Sequence, residues 1–336
     1  MRDYCVSFDR LFDNQVKSST ARTIPQHEQM KQDPMRHHLA LIALIIFAVI
    51  PHSQLVFAQD SRSDGVVFEK NIEYSNPDEQ HLQLNMARPQ NGKGPFPVIV
   101  CIHGGGFRAG SREGFNGLCK QFAKHGYVAV TVSYRLAPKY PFPAAIHDVK
   151  AAVRWVRANA KKYNIDAGRV GTTGGSAGGH LAQYLGVTRG INRLEGDGGN
   201  PRYSSHVDCV VNFYGPSDFT KSYGASVDAA EVLPLFLGGN LEQEKQRHIV
   251  ASPLYWVTPN ASPTLCIHGT KDQYVAHEQS VWLVDRLHAA GVAASLLTIE
   301  GGNHGFRDVS KQVRASIEEA RIAFFDKHLK GRNQVD

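Results

Sequence analysis

From residue 66 onward the chain alternates between two hydrophobic rhythms. Val66–Tyr74 and Leu82–Arg88 alternate apolar and polar positions, which predicts a pair of strands forming an exposed hairpin. "PVIVCIHG" (Pro97–Gly104) is a continuous apolar run ending in glycine, the pattern of a parallel strand buried on both faces. Helical spacing follows at Leu118–Lys124, then a second run, "YVAVTVSY" (Tyr127–Tyr134). Across Ala144–Lys161 the apolar residues Ile146, Val149, Val153 and Val156 recur on one helical face. "RVGTTG" predicts another strand, and Val207–Gly215, Thr264–Gly269 and Ala294–Glu300 three more, with helices at His277–Ala290 and Val309–Leu329. Such alternation predicts an α/β fold: a doubly wound, mostly parallel sheet with helices on both faces. Residues 216–259 break the rhythm and carry Phe219, Tyr223, Leu235, Phe236, Tyr255 and Trp256, which predicts a small lid-like insertion above the strand ends.

The N-terminal 58 residues follow a different pattern. Residues 1–34 are polar and unpatterned, and Met35 offers an alternative start of translation. Residues 35–58 have a basic start at Arg36, an apolar run from Leu39 to Ile50 and a small-residue exit ending at Ala58, the three parts of a secretory signal peptide. The run is about half the ~20 residues a membrane span needs, so a cleaved signal is expected ahead of an uncleaved anchor. The expected product is a secreted or periplasmic domain, residues 59–336, without a stable membrane anchor.

Composition narrows the classes further. A net charge of +6 over 336 residues is spread along the chain, without the basic block that marks a nucleic-acid partner. The expected mature part holds Cys101, Cys119, Cys209 and Cys266, without metal-ligand spacing; three lie in strand-like runs, where cysteine acts as a small buried hydrophobe. Pairing of Cys209 with Cys266 is left open, as is the oligomeric state.

The chemistry centres on "RVGTTGGSAGGH" (Arg169–His180). Ser176 has glycines two places before and two after, Gly174 and Gly178, between a strand and a helix. A strand that turns at once into a helix strains its corner residue and presses those flanking positions together, so glycine is tolerated at both. The serine then stands clear of the sheet at the positive helix end. A phosphate loop or plain turn remains an alternative for this motif alone. An attacking serine also needs a base, an orienting acid and donors for the oxyanion. "HGGGF" (His103–Phe107) follows a predicted buried strand, and its bare peptide groups supply Gly105 and Gly106 as donors, with Ala177 as the third. Acid and histidine should follow the serine in that order, each just past a later strand. "HGTKDQYV" puts Asp272 there, and "EGGNHGF" puts His304 there. Asp148 precedes the serine and Asp218 comes one strand too early; His180 and His268 read as structural.

Together "HGGGF", "YRLAPKYPFPAAIHD", "GGSAGGHLA", "HGTKDQYV" and "GGNHGF" resemble the α/β-hydrolase superfamily, within it the HGGG-type lipase/esterase group that includes hormone-sensitive-lipase-like enzymes and compact bacterial carbohydrate esterases acting on acetyl or feruloyl groups. The resemblance runs from about Val66 to Leu329. It implies an eight-stranded sheet, no metal, no organic cofactor, and ester hydrolysis on small molecules or plant polysaccharides; the small mouth expected under a short lid favours small acyl groups, acetyl to butyryl. An amidase, formamidase or peptidase of the same fold is the alternative, and a non-catalytic binding relative the more distant one. Two departures point to the carbohydrate-esterase branch: Gly175 stands where hormone-sensitive-lipase-like chains have aspartate, and no large helical cap precedes the first strand. Lys139 also replaces an acidic residue that is common in the "YRLAP" stretch.

Overall fold

Eight strands form one sheet in the computed structural model, which describes residues 65–331; the expected leader and signal segments lie outside the described residues. The strands are β1 (Val66–Ser75), β2 (Leu82–Pro89), β3 (Phe96–Ile102), β4 (Val128–Val132), β5 (Ile165–Gly175), β6 (Cys209–Phe213), β7 (Thr264–Gly269) and β8 (Ala294–Ile299). Their spatial order is β1-β2-β4-β3-β5-β6-β7-β8. Pairs β1–β2 and β2–β4 are antiparallel and every other pair is parallel. The longer helices are α1 (Asn116–Lys124), α2 (Ala144–Ala158), α3 (Ala177–Val187), α4 (Ala229–Leu237), α5 (Lys245–Ala251), α6 (Glu278–Ala289) and α7 (Lys311–Phe325).

Alternation along β3 explains the two-faced core, because successive side chains point to opposite faces. Ile99 and Cys101 join a cluster with Cys119 and Phe122 of α1 and Ile317 and Phe325 of α7. Val98, Val100 and Ile102, equally buried, face the other way. Helices α2, α3 and α6 add nothing to the first cluster, and α2 packs on α3. Cys101, Cys119, Cys209 and Cys266 are all buried free thiols, so the Cys209–Cys266 pairing does not form.

One expectation fails. The hairpin is not exposed: Leu84, Met86 and Ala87 of β2 are wholly buried. The cause is that β2 is the second strand of the sheet, hydrogen-bonded to β4 as well as β1, with α1 packed against it. Its short alternating pattern could not reveal that second partner.

The parallel run β3-β5-β6-β7-β8 has one consequence for function. The loops that leave the C-terminal ends of parallel strands emerge on a single edge, where open α/β sheets bind ligands. His103, Ser176, Tyr214, Asp272 and His304 all follow those ends, in that spatial order.

Candidate active site

Ser176 is the corner between β5 and α3, with φ 57° and ψ −124°, backbone space that non-glycine residues seldom enter. It is held by its neighbours: its N–H donates to the Phe213 carbonyl at 2.9 Å, and its carbonyl accepts from His180 N–H at 2.9 Å. A Cβ at Gly174 would collide with the Gly178 carbonyl, and one at Gly178 with the Ile102 and His103 carbonyls. These are backbone atoms and cannot swing aside. All eleven residues of α3 are buried, so its place is fixed by packing on every side. Gly178→Ala should therefore destabilise the protein by about 3 kcal/mol, although helix propensity alone favours alanine by about 1 kcal/mol. Guanidinium unfolding gives the sign directly, and a gain in stability would contradict the close approach.

The His103–Phe107 loop abuts the elbow. A Cβ on Gly104 would lie 2.6 Å from the Gly175 carbonyl and 3.3 Å from Ser176 Cβ. Gly105 (φ 120°) and Gly106 (φ 57°) occupy backbone space that glycine favours. Among the described residues, the N–H groups of Gly105, Gly106 and Ala177 have no protein acceptor. Such free donors are what a developing oxyanion requires. His103 anchors the loop: Nδ1 donates to the Gly104 carbonyl at 2.8 Å, its ring stacks on Tyr134 at 4.3 Å, and Tyr134 Oη donates to the His103 carbonyl at 2.9 Å. Burial lowers the His103 pKa, which favours the neutral ring.

At the other side of the edge, His304 Nδ1 donates to Asp272 Oδ2 at 2.7 Å. That bond leaves Nε2 as the basic nitrogen. Asp272 Oδ1 accepts the N–H groups of Tyr274 and Val275, each at 2.9 Å. Burial by itself would raise the Asp272 pKa; hydrogen bonds from His268, His304 and the Val275 N–H outweigh it and hold the carboxyl well below the usual range. The group is therefore a carboxylate wherever a neutral imidazole can work as a base.

Between elbow and histidine stands Tyr214, just past β6. Its ring centroid is 4.5 Å from that of His304, and a Cβ on Gly175 would lie 3.1 Å from its hydroxyl oxygen. Tyr214 thus crowds position 175, where a side chain would require its ring to shift by a few tenths of an ångström. Burial, helped by the Asp272 charge, pushes the Tyr214 pKa up to about 12, so its hydroxyl stays protonated. No hydrogen bond joins Ser176 to His304 among the described residues; such bonds often tighten only around a substrate.

The competing residues are committed elsewhere. Asp148 is buried against Arg135, which reaches it through Nε and Nη2. Asp218 accepts from Thr220 and Tyr255 inside the insertion. His180 donates Nε2–H to the Ala251 carbonyl at 2.7 Å, and burial pushes its pKa down to about 3. His268 is different. Its Nε2 lies 2.9 Å from the Val275 carbonyl and 3.3 Å from Asp272 Oδ2, while Nδ1 meets Ser280 Oγ at 2.8 Å. Its pattern in the chain reads as structural and does not show its contact with the acid; the four-residue spacing to Asp272 across a strand end is the available signal.

A cleft opens over Ser176, about 580 Å³ counting its open mouth. Phe107, Phe219, Val232 and Leu233 form its buried apolar wall. The insertion supplies the last three, and Arg108, just past the His103–Phe107 loop, pairs with Glu231 on α4.

A mostly parallel eight-stranded sheet with a serine elbow after its central β5, an aspartate after β7 and a histidine after β8 defines an α/β-hydrolase. The chain belongs to the BD-FAE family, which it matches over residues 84–287, more than half its length. It is 33% identical to Esterase LipC of Mycobacterium tuberculosis over 239 residues, 69% of this chain and 58% of that protein. The chain thus spans little more than half of that curated relative. A truncated carbohydrate esterase from gut microbiota has a similar structure, with a TM-score of 0.68 at 29% identity over 81% of this chain and 99% of that one. Thermogutta terrifontis esterase 2, solved as phosphonylated by sarin, superposes with a TM-score of 0.66 at 26% identity over 77% of this chain and 94% of that one.

Proposed function

We propose that the chain is a serine carboxylesterase for short acyl esters, with acylated carbohydrates as the substrate class. The observation that carries this is the 2.7 Å Asp272–His304 hydrogen bond on the sheet edge that also presents Ser176 and three unpaired peptide N–H groups. In this reading His304 Nε2 takes the Ser176 proton as Oγ attacks the ester carbonyl. The oxyanion forms against the N–H groups of Gly105, Gly106 and Ala177. His304 then protonates the leaving alcohol, and water attacks the acyl-enzyme by the same route. Asp272 fixes the imidazole tautomer and steadies its charged form. The BD-FAE membership, the esterase name of the 33%-identical relative and the carbohydrate-esterase title of a structural neighbour support the reading. The buried wall of Phe107, Phe219, Val232 and Leu233 suits acyl groups of acetyl to butyryl size.

Treatment with a fluorophosphonate should give one covalent adduct per chain, on the peptide containing Ser176, with parallel loss of p-nitrophenyl acetate hydrolysis. Labelling elsewhere, or full labelling with activity retained, overturns the assignment. A matched acetyl anilide should be turned over far more slowly than the ester; the reverse preference would favour the amidase alternative.

A further inference from the structure

Cleavage fixes where the two halves of an ester must lie. His304 gives its proton to the leaving oxygen, so the alcohol sits beside His304 while the acyl group occupies the other end of the cleft. On the His304 side the cleft wall changes character. Tyr274 is 49% exposed, a high value for a tyrosine beside a candidate catalytic base, and its ring centroid lies 5.2 Å from that of His304 at a 44° tilt. Just before the helix that carries Val232 and Leu233, Ser226 and Asp228 also line the cleft, and both are only half-buried. The Val227 N–H donates to the Gln273 carbonyl at 3.0 Å, which ties this pair to the loop bearing Tyr274. Ser226 Oγ donates to Asp228 Oδ1 at 3.2 Å. Among the described residues, Asp228 Oδ2 has no hydrogen-bond or ion-pair partner.

An exposed aromatic face and a carboxylate oxygen with spare lone pairs, lining one cleft, match one chemistry well: a ring with apolar C–H faces and hydroxyl edges. Such a carboxylate also repels anionic alcohols. We propose that Tyr274 and Asp228 form the leaving-group subsite, taking a sugar ring on the tyrosine face with its hydroxyls donating to Asp228. The proposal rests on the esterase reading and adds to it which residues select the carbohydrate alcohol. Tyr274 contributes to catalysis only through its backbone N–H on Asp272, which a side-chain substitution keeps. The ring acts as a specificity determinant, and its loss should appear in sugar-ester selectivity.

The test compares three acetyl esters that share one acyl-enzyme: an acetylated xylo-oligosaccharide, ethyl acetate and acetylcholine. In both Tyr274→Ala and Asp228→Asn, kcat/KM for the sugar ester relative to ethyl acetate should fall about tenfold, the size expected for one lost stacking or charge-assisted contact. Tyr274→Phe, which keeps the ring face, should retain most of the parental ratio. An equal fall on both substrates in Tyr274→Ala, or a phenylalanine variant as poor as alanine, overturns the stacking role. A parent enzyme that prefers acetylcholine to the sugar ester assigns the subsite to a cationic alcohol and overturns the proposal. Hydrolysis of ethyl acetate without the sugar ester removes the subsite and leaves the esterase reading intact, whereas a parent enzyme inactive on all three esters removes both.

Discussion

Replacing Ser176 with alanine should lower kcat for p-nitrophenyl acetate by about a million-fold, leaving only the residual rate due to the oxyanion donors and binding. Stability should barely change, for two structural reasons. The hydroxyl has no hydrogen-bond partner among the described residues, so its removal orphans no buried group. Alanine also keeps the Cβ, so the cost of φ 57° and ψ −124° is the same for both residues. Ser176→Gly isolates that cost. It should be just as inactive but more stable by about 1 kcal/mol, because glycine enters this region without a steric penalty. Single-turnover kinetics and guanidinium unfolding on the three proteins check both claims. An alanine variant within a hundredfold of the parent would assign the attacking group to another residue.

Those same glycine and serine positions explain why so much of the site was legible in the chain. The spacing Gly174–Ser176–Gly178 encodes a contact between two peptide groups that no larger residue permits, and "HGGGF" encodes a loop whose donors must stay bare. Constraints of this kind are local in sequence. The strands were legible for a similar reason: β3 and β4 lie inside a sheet covered on both faces and read as apolar runs, broken in β4 only by Thr131. What escaped was relational. β2 gives the same alternating signal whether one strand or two pair with it. Tyr214 sits where it does because β6 lies between β5 and β7, and strand order leaves no mark on a tyrosine. His268 is an apolar strand's last histidine by pattern and a neighbour of the acid only by geometry. Tyr274 and Asp228 line one cleft because the Val227 N–H meets the Gln273 carbonyl, a hydrogen bond between the insertion and the loop after β7 that no periodicity announces.

Asp272→Asn should lower kcat by about ten thousand-fold at neutral pH, far more than the loss of one hydrogen bond, because the substitution reverses the polarity of the site. The Asp272 side chain is fully enclosed and accepts from His304 Nδ1 and the N–H groups of Tyr274 and Val275, with His268 Nε2, bonded to the Val275 carbonyl, 3.3 Å from Oδ2. A carboxylate accepts from all three donors and suits the nearby His268 N–H as well. An asparagine must turn its amide NH₂ toward some of them, and the His304 side then gains by presenting an unprotonated Nδ1. The proton moves to Nε2, the nitrogen that has to receive it from Ser176, and the base is blocked. The pH dependence of stability should change in a predictable direction as well. The Asp272 carboxyl titrates lower in the folded protein than in the unfolded chain, where carboxyls titrate near pH 4. Its contribution to stability is therefore complete above about pH 5 and lost as the pH falls below that, because the unfolded state binds the proton more readily. The stability gap between parent and Asp272→Asn should thus be widest near pH 6 and narrow progressively toward pH 3. Urea unfolding at several pH values measures the gap, and a gap that stays constant or widens on acidification would mean that the carboxyl is not held ionised by these surroundings.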